Sequence, residues 1–157
     1  MADKKRNPEK LEGLRKVVEG CSTFGLLLVA AGLVAPFANI DSAALATAVK
    51  WIYAAGALIF TIARMVNVND PEDSARLRRL RRMEMWAGFC FCIGAAFWIY
   101  NATRWPGTGF TLPMLRDTIG FTLAGAAIQV IASWMISSLA TKEARHRRES
   151  KRENDRK

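Results

Sequence analysis

Two carboxylates stand closest to the long apolar stretches of this chain, and each has a basic residue three positions before it. Glu19 follows Lys16, and Glu84 follows Arg81. A carboxylate at the edge of a helix bundle can take up a proton or hold a cation, and ionisable groups within a bilayer are commonly functional. The competing expectation is that each acid is neutralised by its own partner one turn back on the same helix face. Glu19 and Glu84 are therefore candidate proton or cation sites. Gln129 is the most deeply placed amide. In hydrocarbon it needs a partner, either a substrate or a neighbouring helix, where such a bond contributes ~1 kcal/mol.

Other chemistries find no constellation. Cys90 and Cys92 are two apart, so on a helix their side chains diverge by roughly 200° and share neither a metal nor a disulfide. There is no C-x-x-C pair for thiol exchange. Cys21 lies near the start of an apolar run, and all three cysteines are expected to act as small packing residues. The sole histidine, His146, lies in a charged tail, whereas haem held in a helical membrane bundle needs axial ligands within the membrane. Phosphate loops, triads and paired-carboxylate metal sites are not recognisable. No catalytic residue, cofactor or metal is expected, and the chain is not read as an enzyme.

The elements that must position these residues follow from hydropathy and length. Charge is absent over 21 residues from Gly20 to Ile40, over 19 from Met85 to Thr103, and over 24 from Thr118 to Thr141. A fourth stretch, Ser42 to Ala63, is interrupted only by Lys50, which can snorkel outward. About 20 apolar helical residues cross a hydrocarbon core ~30 Å thick. The fold class is therefore all-α: a polytopic membrane protein with a bundle of four transmembrane helices. Spans are expected over 17–37, 43–66, 83–103 and 114–140, with Asp41 or Ser42 capping the second. Asp70 and Pro71 should open a basic helix over 71–83 that runs on into the third span, with Leu77, Leu80 and Met83 along one side. Residues 1–16 form a basic arm, mobile or weakly helical, and 141–157 a charged tail with helical charge pairs such as Arg145/Glu149. Trp105 and Phe110 belong to an interfacial loop over 104–116.

Orientation follows the basic residues. Twenty of the 23 Lys and Arg fall in 1–19, 64–84 and 141–157, which share one side if there are four spans. The other side holds Lys50, Arg104 and Arg116. Both termini are then expected in the cytoplasm, with the first span retained as a signal anchor, and the location expected is a bacterial inner membrane.

The two halves resemble each other. Residues 55–63 and 124–132 are identical at six of nine positions, at an offset of 69, and the entrances to spans one and three match at an offset of 65. Two tandem two-span hairpins with a pseudo-two-fold axis along the membrane normal would produce this pattern, as would chance recurrence of Ala, Gly and Ile. Gly88, Cys92, Ala95 and Ala96 on span three, and Gly120 and Ala124 on span four, are small residues that let helices approach closely, within the bundle or between copies.

The remaining feature is Arg76, Arg78, Arg79, Arg81 and Arg82, five arginines in seven positions. Two readings stand. One is a surface for anionic headgroups or an acidic partner, and the other is a determinant of topology alone. Nucleic acid is not expected, because no aromatic residues are interleaved with the charges. This run, entering a Trp-containing span in a chain of four short hydrophobic segments, resembles small uncharacterised inner-membrane proteins of the Bacteroidota, a resemblance that implies no particular activity. The expected function is that of a structural or accessory membrane protein, a subunit or self-associating bundle. The alternative is a small dimeric transporter. In span count the chain resembles the small multidrug-resistance exporters, but those carry a glutamate well inside the first span, and Glu19 lies at its edge.

Overall fold

The computed structural model describes residues 8–37, 43–67, 74–104 and 112–154, and among them there are four long helices and no strand. These are α1 (Pro8–Val34, continued by a 3-10 turn over Ala35–Phe37), α2 (Ala43–Asn67), α3 (Ala75–Arg104) and α4 (Leu112–Asn154). Each is long and apolar enough to cross a bilayer. The protein is an integral, multi-pass, all-α membrane protein.

Several boundaries differ from the sequence expectation. Residues 8–16 are helical and continuous with α1; Pro8 occupies its first position, where a missing N–H costs nothing. Pro36 falls in the 3-10 turn, as its lost donor and ring sterics dictate. α3 opens at Ala75, with Ser74 as its cap: its hydroxyl accepts from the Leu77 amide at 3.3 Å and its carbonyl from the Arg78 amide at 3.0 Å. Asp70 and Pro71 lie outside the described residues, as do Asp41, Ser42, Trp105 and Phe110. α4 runs past its apolar part to Asn154, which makes the charged tail helical through that residue.

Each helix packs principally on its neighbours in the chain, α1 on α2, α2 on α3 and α3 on α4. The spans of the inner helices α2 and α3 are accordingly 44% and 39% buried, against 22% for α1 and α4. Glycine sets the closest approach. A Cβ on Gly25 would stand 2.7 Å from the Phe60 backbone nitrogen and 2.9 Å from the Gly56 carbonyl, so α1 and α2 touch backbone to backbone. Between α2 and α3 the corresponding residue is Gly88, where a Cβ would meet the Thr61 hydroxyl at 2.7 Å.

The hairpins repeat in three dimensions. α2 buries Val49, Tyr53, Gly56, Phe60 and Ala63, and α4 buries Thr118, Thr122, Gly125, Gln129 and Ala132, each pair 69 apart. On α1 and α3 the equivalence is not the 65 read from their entrances. Ser22, Gly25, Val29 and Gly32 match Glu84, Ala87, Phe91 and Gly94 at 62, since Gly56 faces the Gly25 carbonyl as Gly125 faces that of Ala87. The shift is close to one helical turn, so Glu19 and Glu84 are not counterparts.

Candidate functional site: a buried carboxylate shared by three helices

Neighbouring helices run antiparallel, which brings the start of α3, the end of α2 and the end of the α4 span to one end of the bundle. Glu84 sits there, two residues past the last arginine of the cluster, and is 4% exposed. Its Oε2 pairs with Nη1 of Arg64 on α2 at 3.0 Å. Its Oε1 accepts from the Ser133 hydroxyl at 3.1 Å and from Nε2 of Gln129 at 3.4 Å, both on α4. Nε2 of Gln129 also reaches the Ser133 oxygen at 3.0 Å. One carboxylate on α3 thus ties α2 to α4. The Arg64 guanidinium is itself placed over the Phe60 ring, 5.3 Å from its centroid.

The ion pair adds a partner that the sequence expectation did not include, a cation twenty residues away on α2. Glu84 points into the α2–α3–α4 interface, where Arg64 on the packed α2 helix lies at the same depth. Arg81 also turns inward and is 7% exposed, so it departs from the surface cluster it was grouped with. Arg76, Arg78, Arg79 and Arg82 are exposed. Glu19 is exposed and is not part of the network.

Further polar atoms at this level are buried. Oε1 of Gln129 and the hydroxyl of Ser22 are buried without a hydrogen-bond partner. Gly25 meets Gly56 and Phe60, so the antiparallel register puts Ser22, one turn earlier, level with residues 60–64. Buried polar atoms of this kind are few in proteins and lower the cost of any group that satisfies them.

Toward the other end, a second polar knot is closed. The Tyr53 hydroxyl meets the Thr122 hydroxyl at 2.5 Å and donates to the Phe91 carbonyl at 3.5 Å. Thr122 and Thr118 bond the carbonyls of Thr118 and Gly94, at 2.6 and 3.1 Å. Trp98 packs over Tyr53, with ring centroids 5.4 Å apart. Gly94 leaves room for this hydroxyl, since a Cβ there would meet it at 2.9 Å.

The small-residue stripes divide. Gly88 is buried against Thr61, and the Cys92 thiol lies 3.3 Å from the Thr61 hydroxyl and 3.7 Å from the Ala57 carbonyl. Ala95 is buried in the core. Ala96, Gly120 and Ala124 are exposed, and nothing stands within 4 Å of a Cβ built on Gly120; the packing glycine of α4 is Gly125. Leu77, Leu80 and Met83 do not form one face either. Leu80 is buried, Leu77 half-buried and Met83 exposed, because a spacing of three drifts ~60° around a helix with each step.

Sequence reasoning passed over Arg64, Ser133, Tyr53, Thr118 and Thr122. A signal existed for the first two: opposite charges close the ends of adjacent spans at 64 and 84, and Ser133 is one turn from Gln129. Together these features define the class, an integral membrane protein of four helices with a charged clamp at one end. Comparison with known proteins goes no further: no family model, no curated protein and no solved structure matches the chain.

Proposed function

We propose that this membrane protein works without catalysis, as a structural or accessory subunit that self-associates or joins a larger membrane complex. The observation that carries the reading is the engagement of Glu84. A carboxylate that carries protons or a cationic substrate must exchange its partners for water during each cycle. Glu84 instead has both oxygens engaged, by Arg64 on one side and by Ser133 and Gln129 on the other. Breaking such a buried pair costs ~3–5 kcal/mol, which suits a fastener between helices better than a site of turnover. The basic end of the bundle faces the cytoplasm of a bacterial cell in this reading, following the charge asymmetry of the connections.

Isolation from native membranes in mild detergent, followed by mass spectrometry of the intact assembly, tests the proposal. A stoichiometric membrane partner or a homo-oligomer is expected. A proton-driven efflux of cationic compounds in reconstituted vesicles, abolished by Glu84→Gln in protein that remains folded, would replace this reading with that of a small exporter.

A further inference from the structure

One exposed face of α3 runs without interruption from its arginines into the bilayer. Arg79, Arg82, Trp86, Ile93 and Phe97 are all exposed, and at 100° per residue they fall within about 60° of one another. The same face ends at Tyr100 and Arg104, whose Nη1 donates to the tyrosine hydroxyl at 2.9 Å. From Arg82 to Arg104 the helix rises about 33 Å at ~1.5 Å per residue, close to the ~30 Å of a hydrocarbon core. Arg79 and Arg82 therefore reach phosphate depth in one leaflet. Trp86, 58% exposed and packed edge-on against Phe89, lies one turn deeper, where an aromatic ring meets the first carbons of the acyl chains.

The position of these arginines in the helix adds a second argument. Arg76, Arg78 and Arg79 crowd the first turns of α3, where the helix dipole is positive, and the first turn contains no acid. Cations there are unfavourable by ~0.3–1 kcal/mol each. Topology alone would be served as well by basic residues in the terminal segments. Arg79 and Arg82, exposed on a rigid helix at headgroup depth, are placed to meet an anion there, and in a bilayer that anion is a lipid phosphate. An acidic soluble protein could meet the guanidinium groups but would leave the apolar column below them uncovered.

We propose that this face binds an acidic phospholipid, its phosphate held by Arg79 and Arg82 and one acyl chain laid over Trp86 toward Ile93. The inference does not depend on the accessory role, since an exporter with this α3 would bind the same lipid.

The test uses the full chain reconstituted into phosphatidylcholine vesicles, titrated with brominated phosphatidylglycerol or brominated phosphatidylcholine while tryptophan fluorescence is read. Bromine quenches only near neighbours, so the difference between the two titrations reports the preference. Stronger quenching by phosphatidylglycerol is expected, with a preference that shrinks as salt is raised. The preference should vanish in Trp86→Phe, which removes the reporter at this site. It should fall roughly fivefold for each arginine replaced in Arg79→Gln and Arg82→Gln, the equivalent of ~1 kcal/mol near a charged leaflet, while the double Lys variant keeps most of it. These exposed substitutions should leave the thermal midpoint in detergent near that of the native protein. Equal quenching by the two lipids would overturn the proposal. So would a preference that survives Trp86→Phe or the double Gln variant, or an arginine-dependent acidic protein partner found without any lipid preference.

Discussion

At the scale of residues, the buried charge described gathers at one end of the bundle, where Glu84 and Arg81 are buried and Arg64 pairs with Glu84. Glu84 is 6% exposed as a side chain and Arg64 19%, so water does little to screen the loss of either. Glu84→Leu should lower stability by ~3–5 kcal/mol, because it leaves the Arg64 guanidinium without its carboxylate. Arg64→Met alone should cost about as much, for the mirror reason. The double variant Arg64→Met/Glu84→Leu should recover much of the loss, since it removes both desolvated charges together. Denaturant or thermal titration of the four proteins in one detergent closes this cycle, and additive losses would contradict the pairing. The polar knot at Tyr53 should behave more gently. Tyr53→Phe removes a hydroxyl but leaves Thr122 bonded to the Thr118 carbonyl at 2.6 Å, so a loss of ~1 kcal/mol or less is expected in the same titration.

At the scale of helices, the α2–α3 interface joins two hairpins that repeat each other. On the α2 side Thr61 meets Gly88 and Cys92, the Ala57 carbonyl meets Cys92, and Ala54 is buried on the same helix. The counterparts of Ala54, Ala57 and Thr61 on α4, 69 residues on, are Leu123, Ala126 and Val130. Leu123 is 60% and Val130 69% exposed, so the face that receives a helix in the first hairpin has become bulky and meets lipid in the second. Gly88→Val should therefore separate the hairpins, lowering the thermal midpoint by the equivalent of ~1–3 kcal/mol, while Gly120→Val, on open surface, should leave it unchanged. Equal effects would mean that α4 uses Gly120 against another copy. The same comparison marks what the sequence could convey. Helix number and approximate spans were legible because charge-free length is a one-dimensional property. The rotation of each helix was not: Gly120 and Gly125 look alike in a list of small residues, yet lie ~140° apart on α4. The offset of 65 rested on charged entrance residues that pack differently in the two hairpins: Lys16 and Glu19 are exposed on α1, whereas Arg81 and Glu84 are buried on α3. Arg64 was read only as an orienting charge because its partner is distant in sequence and close only after α2 and α3 have packed.

At the scale of the whole molecule, the repeat is open rather than closed. Tyr53 and Thr122 are equivalent positions that touch each other, as residues beside a two-fold axis would. An exact two-fold would also copy the α2–α3 interface between α4 and α1, but α1 rests principally on α2. The order α1–α2–α3–α4 nevertheless constrains topology. With antiparallel neighbours, Ser74 and Ser150 belong to the basic end, and the α3–α4 connection containing Thr108 belongs to the other. The basic end carries twenty of the 23 Lys and Arg, and transfer of so many cations across the membrane opposes the reverse orientation. Cys21 is exposed, so the three native cysteines should first be replaced by alanine. Single cysteines are then introduced at Thr108, Ser74 and Ser150. An impermeant maleimide applied to intact cells should label the first and reach the other two only after the membrane is opened. Labelling at Ser150 in intact cells, with Thr108 protected, would invert the molecule and move the arginines of α3 to the outer leaflet.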